Sequence, residues 1–222
     1  MTAYKSRRSY FKMVTLIAFL AVGFVGCDSI DSNETLSELE VQRQRNNPRT
    51  STSPIYTFSD MSEVGTSTLK RGADAITLSI ETTELKPGYA YTVWWVVFDK
   101  PEFCSAPACG EDDVFEDAMA GGPNRMELSV IGAADGSVVP ANGKATYTGS
   151  LKKYDTSLAI FGDGLDFSDT AEIHYVIRSH GAAIPGLIEE QITTFNGGCD
   201  PGQPNEGQCE DVQFAVHKAA IN

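Results

Sequence analysis

From about residue 55 onward the chain runs in short stretches in which apolar and polar side chains alternate. Ile76, Leu78 and Ile80 are separated by Thr77 and Ser79, and Met126, Leu128 and Val130 keep the same period, as do Ala145, Tyr147 and Gly149. Ile173, Tyr175 and Ile177 alternate against His174 and Arg178, and Val212, Phe214 and Val216 against Gln213 and His217. Successive strand side chains leave opposite faces, so a period of two marks half-buried strands. Tyr89 to Phe98 is a nearly continuous apolar and aromatic run, and Leu158-Ala159-Ile160-Phe161 reads as a short buried strand. Turn signals separate these runs: Lys86-Pro87-Gly88, Ala134-Asp135-Gly136, Asn142-Gly143 and Asp163-Gly164. The one helical candidate is Asp113 to Ala120, with Val114, Phe115 and Met119 on one side. Seven to nine short strands without βαβ alternation predict an all-β domain over 55–222. Its expected form is a single antiparallel β-sandwich, Ig-like, with long disulfide-bonded loops.

The first 54 residues have a different pattern. Lys5, Arg7, Arg8 and Lys12 precede an apolar run of 13 residues, Met13 to Val25. A spanning helix needs about 20 residues, so the pattern is that of a secretory signal over 1–26. Phe24-Val25-Gly26-Cys27 resembles the lipobox of bacterial lipoproteins, with Phe24 where that family most often has Leu. The resemblance implies cleavage before Cys27, a diacylglycerol on its sulfur and an acylated new amino group. It therefore implies a lipid-anchored extracytoplasmic protein, on the cell membrane or the outer membrane. Residues 27–54 are rich in Ser, Thr, Asn, Gln, Glu and Arg and poor in large apolar side chains. Such a stretch buries too little surface to offset its ordering entropy, so it reads as a flexible tether.

Charge and cysteines narrow the function class. The whole chain has 17 Lys and Arg against 30 Asp and Glu, a formal charge of −13. Loss of residues 1–26 removes four basic residues and no acid, which leaves 13 basic residues and a charge of −17. That charge repels phosphate backbones and anionic headgroups, so neither a nucleic-acid partner nor a polybasic membrane contact is expected. With Cys27 lipidated, Cys104, Cys109, Cys199 and Cys209 remain. Four cysteines outside the cytoplasm read as two disulfides, and the two local pairings, Cys104–Cys109 and Cys199–Cys209, close short loops. A tetrathiolate zinc site is the rival reading of the same four residues.

Catalytic signatures are absent: no Gly-x-Ser-x-Gly, no His-Glu-x-x-His, no phosphate loop. The expectation is a non-catalytic binding or surface-structural module without a cofactor, binding a protein or carbohydrate partner. The rivals are a metal-dependent (Cu/Zn or Ca2+) or hydrolytic secreted enzyme and a carbohydrate-binding module. His174, Arg178 and His180 share strand parity, and His174 with His217 from another strand is the better imidazole pair for copper or zinc. Residues 171–181 loosely resemble the His-containing strand of the CHRD domains, a family of secreted β-proteins, and that likeness assigns no site. The run Tyr91 to Cys104 is similar to segments of uncharacterised secreted β-proteins and brings no function.

Two acidic clusters invite calcium: Glu111, Asp112, Asp113, Glu116 and Asp117, then Asp163, Asp166 and Asp169, although neither follows the EF-hand pattern. Trp94 and Trp95 must leave opposite faces of one strand. One is expected in the core. The other lies under the segment 101–123 or is exposed as a stacking surface for sugar rings or other planar ligands.

Overall fold

The computed structural model describes residues 49–106, 108–111, 113–114 and 129–219. The signal, Cys27 and the tether up to residue 48 lie outside the described residues, as do most of the expected helix Asp113 to Ala120 and both Met126 and Leu128. The strands are β1 (Arg49–Thr57), β2 (Glu63–Arg71), β3 (Ala75–Thr82), β4 (Tyr89–Phe98), β5 (Ser129–Val138), β6 (Ala145–Lys152), β7 (Ala159–Phe161), β8 (Glu172–Ala182) and β9 (Glu210–His217). A short helix, α1 (Ile188–Thr193), lies between β8 and β9. No described helix is long and apolar enough to cross a membrane.

The nine strands of the described residues form one antiparallel sheet in the order β6-β3-β2-β1-β9-β8-β4-β5-β7. The all-β expectation holds. Strand β3 shows why: Ile76, Leu78 and Ile80 are buried while Thr77, Ser79 and Glu81 are exposed. The sheet curls until its two ends share one core. Ile76, Leu78, Ile80 and Tyr147 from one end meet Val93, Trp95, Val97, Ile173 and Tyr175 from the other. Pairing is thin between β1 and β9, inside the sheet, where only Tyr56↔Phe214 and Thr57↔Gln213 are in register.

Three local expectations are corrected. Ala134-Asp135-Gly136 is no turn: it lies inside β5, at a bulge where the register to β4 slips between Val93 and Trp94. The polar residue and the glycine serve closure instead. Asp135 accepts the N–H of Gly136 and, from β6, that of Thr148, each at 2.8 Å, which ties together strands far apart in the sheet order. A Cβ on Gly136 would stand 2.2 Å from the Ile192 carbonyl, so this glycine admits α1 against the sheet.

Leu158 to Phe161 is not buried. Leu158 is 61% and Ile160 52% exposed, because β7 is an edge strand with one neighbour. The tether assigned to 27–54 is too long at its end. Residues 49–54 belong to β1 and pair with β2 from Arg49↔Arg71 to Pro54↔Thr66, a ladder that needs no apolar side chains.

The apolar run of β4 is explained by cover on both faces. Tyr91, Val93, Trp95 and Val97 face the core. On the outer face, Phe98 and Val96 pack under the first disulfide loop with Cys109 and Val114. Trp94 lies under the second covering segment, with the Phe195 ring 5.4 Å away, edge to face. The segment after β4 thus covers Phe98, while Trp94 is covered by residues after β8. The two disulfides are Cys104–Cys109 and Cys199–Cys209, with Cα separations of 5.2 and 5.8 Å, so each loop is cross-linked where it crosses the outer face of the sheet. In this form the four sulfurs are not gathered into a tetrathiolate.

Candidate ligand groove

A groove of about 810 Å³ lies at one end of the curled sheet. Three walls build it: the turn after β1 (Thr57, Phe58, Ser59), the β3–β4 connection (Glu84, Leu85, Lys86) with Tyr89 and Tyr91, and the stretch Gly207 to Gln213. Each wall is pinned by internal bonds. Asp60 accepts the Thr57 hydroxyl at 2.5 Å and the Ser62 N–H at 3.0 Å, which fixes the turn that presents Phe58. The Phe58 ring is 49% exposed and packs its other side on Phe214, at 4.7 Å between centroids.

In the second wall the Lys86 N–H donates to the Tyr91 hydroxyl at 2.9 Å. The Lys86 ammonium sits 4.1 Å over the Tyr89 ring and donates to its hydroxyl. Burial pushes the Tyr91 phenol above its ordinary pKa, so it stays neutral. The third wall hangs on the Cys199–Cys209 loop. Asn205 donates to the His180 and Ala182 carbonyls, each at 2.7 Å. Gly181 has φ +75°, and a Cβ there would stand 2.8 Å from the Asn205 amide, so only glycine suits this crossing. At the floor, Gln213 accepts from the Thr82 hydroxyl at 2.6 Å and donates to the Thr83 carbonyl at 2.8 Å.

The groove carries acid in excess. Glu84, Glu210 and Asp211 face a single lysine, Lys86, and Asp211 is held at 2.7 Å by Arg178. No protein-family model matches this chain, and no curated protein is similar to it.

The residues singled out by sequence lie elsewhere. His174 and His217 do not form a pair: Ile173, not His174, is opposite His217, so the two imidazoles leave opposite faces of the sheet. His174 bonds to Glu172 at 2.7 Å, and that carboxylate also accepts the Cys109 N–H at 3.1 Å. His217 is buried between the Ser51 and Ser67 hydroxyls at 2.9 and 2.8 Å. Burial, with Arg71 and His174 nearby, lowers its pKa to about 4. His180 is buried too, and desolvation lowers it to about 4.

Asp163, Asp166 and Asp169 form no ligand cluster among the described residues. Asp166 accepts the Tyr154 hydroxyl at 2.7 Å, and its backbone N–H and that of Phe167 donate to Asp99 at 3.0 and 2.8 Å. The loop is thus tied to the end of β4 by Asp99. Of the other acidic cluster, Asp113 is spent on the first disulfide loop, accepting the Ser105 and Gly110 N–H groups at 2.6 and 2.8 Å. Asp112, Glu116 and Asp117 lie outside the described residues. Trp94 and Trp95 are each 1% exposed, so neither is a stacking surface. Sequence reasoning missed Phe58, Glu84, Gln208 and Glu210. The available signal was an aromatic placed next to a Ser-Asp turn, where a ring has little reason to be unless something covers it.

Proposed function

We propose that this chain is a lipid-anchored extracytoplasmic binding module without catalytic activity. The groove is its ligand face, and an uncharged or amino-bearing oligosaccharide is the ligand class. The observation that carries the reading is the half-exposed Phe58 ring set among Glu84, Gln208 and Glu210 on walls that are already pinned. Sugars are bound by a flat apolar ring under the pyranose face and by fixed polar groups at its rim. The acidic excess disfavours uronic or sulfated chains. An enzyme reading is disfavoured because each histidine is committed to an internal partner: His174 to Glu172, His180 to Thr92, His217 to Ser51 and Ser67.

The curl of the sheet supports a sandwich with β6-β3-β2-β1 as one layer and β9-β8-β4-β5-β7 as the other, Ig-like in its antiparallel layers. The two-residue pairing of β1 and β9 is the corner between them. The lipobox supports the anchor. Two or more acyl chains, at about 0.8 kcal/mol per buried methylene, hold a protein firmly on a bilayer.

Cys27→Ser is expected to abolish acyl labelling and release the protein from the membrane fraction. A variant that matures and fractionates like the parent contradicts the anchor. The groove is tested by electrophoresis of the detergent-solubilised protein through gels that contain neutral polysaccharides. Retardation by at least one of them, lost in Phe58→Ala, is the expected result, and unretarded migration through a broad panel is the contrary one.

A further inference from the structure

Beneath the segment that covers Trp94, His180 Nδ1 and the sulfurs of Cys199 and Cys209 all lie within 4.8 Å of one another. Nδ1 stands 3.3 Å from the Cys209 sulfur. His180 and Cys199 are buried, and Cys209 is half-buried next to Gln208 on the groove wall. We infer that these three residues form a zinc site whenever the Cys199–Cys209 disulfide is open. The site does not depend on the oligosaccharide reading of the groove.

The hydrogen bonds around His180 carry the argument further than proximity does. Thr92 has one hydroxyl proton and two acceptors before it, the Gln191 carbonyl at 3.1 Å and His180 Nε2 at 2.8 Å. When Thr92 donates to Gln191, Nε2 must hold the imidazole proton. Nδ1 then presents a lone pair to the Gly197 carbonyl at 3.2 Å and to the Cys209 sulfur, neither of which is a donor. When Nδ1 holds the proton instead, Thr92 turns to Nε2 and the Gln191 carbonyl loses it. While the disulfide is closed, one partner is always left short.

Opening the disulfide removes the conflict, because Nδ1 then faces a donor or a metal: Nε2–H donates to Thr92, Thr92 donates to Gln191, and the Nδ1 lone pair is left to take the Cys209 thiol proton or, once that proton is displaced, the ion. Metal-bound histidines ordinarily orient themselves by such a bond from the far nitrogen. Zinc suits the donor set, because two thiolates and an imidazole are familiar ligands, at about 2.3 and 2.0–2.1 Å. Two thiolates also cancel the charge of the ion, so no net charge is buried. The Gly197 carbonyl or a water supplies the fourth position.

The balance is simple. A dithiol reductant passes two electrons and two protons to the disulfide and itself closes to a disulfide, leaving two thiols. Zinc then displaces both thiol protons to solvent, and the freed sulfurs move apart to their places around the ion.

The test uses the full chain with Cys104→Ser and Cys109→Ser, reduced by a dithiol, freed of reductant and given Zn2+ or Co2+. The expected result is one zinc per chain and, with cobalt, thiolate charge-transfer and tetrahedral bands. Zinc affinity is expected to fall at least ten-fold in His180→Gln, and the oxidised protein is expected to bind none at this site. X-ray absorption of the zinc form must read two sulfurs and an imidazole, which keeps the test decisive if His180→Gln does not fold. Should reduction unfold the domain, zinc must restore its circular dichroism. Absence of stoichiometric zinc, a coordination shell without imidazole, or undiminished binding by folded His180→Gln overturns the site.

Discussion

Trp94→Ala and Trp95→Ala, each measured by urea unfolding, are both expected to lose about 3–5 kcal/mol, the usual cost of truncating a buried indole. Trp95 fills the shared core, 5.0 Å from the Tyr175 ring and against Gly149, where an added Cβ would stand 3.1 Å from the indole. Trp94 fills an equally closed space on the outer face, under Phe195. The two are distinguished by a milder change. Trp94 Nε1 is buried without a partner, whereas the Trp95 nitrogen is not so stranded. Trp94→Phe is therefore expected to cost less than Trp95→Phe, because it removes an unpaired donor along with the lost area. A near-neutral Trp94→Ala would mean that the segment after β8 does not cover β4.

Acid is the second large effect. His180 and His217 titrate near pH 4 in the folded protein, against 6.5 as the ordinary value, because both are desolvated as neutral rings. Between these pH values the unfolded chain binds more protons, so stability falls as pH falls from about 6.5 towards 4. Each histidine contributes a loss of about 3 kcal/mol by the lower limit. Asp99 works the other way. Its burial raises the carboxyl from 3.8 to about 6, so its share of stability grows as pH falls through that range. The two histidines outweigh the one acid, and the net expected loss from pH 7.5 to pH 5 is about 3 kcal/mol. Urea unfolding at pH 7.5, 6 and 5 reads this slope, and His217→Gln should flatten it. Stability that is constant or rises over that interval would contradict the burial of these rings.

Much of the fold was legible because burial writes itself into alternation. Ile76-Leu78-Ile80 and Ile173-Tyr175-Ile177 each have one face in the core and one out, and period two follows from that alone. The local disulfides were legible because short loops offer few other partners. Asp135-Gly136 misled because Asp-Gly marks turns by local preference, while here a bulge and a close helix use the same two residues.

Leu158 and Ile160 misled in a related way, since an apolar run does not say whether a strand has one neighbour or two. The histidines misled most. Parity correctly put His174 and His180 on one face, but only the long covering segment, with Gln191, Asn205 and the second disulfide, shows that His180 is closed over. The groove was illegible because its walls come from three places in the sequence, 57–59, 84–91 and 207–213. Only their assembly makes Phe58 and Glu84 neighbours of Gln208.

Binding of a sugar chain in the groove is read out by calorimetric titration. The detergent-solubilised full chain is titrated with neutral and amino-sugar oligosaccharides, beside Phe58→Ala, Glu84→Gln and Glu210→Gln. The expected result is saturable one-site binding by the parent, weakened at least ten-fold by Phe58→Ala while its unfolding midpoint stays close to the parent's. Binding that survives Phe58→Ala and both carboxamide variants unchanged, or no heat from any oligosaccharide, would contradict it.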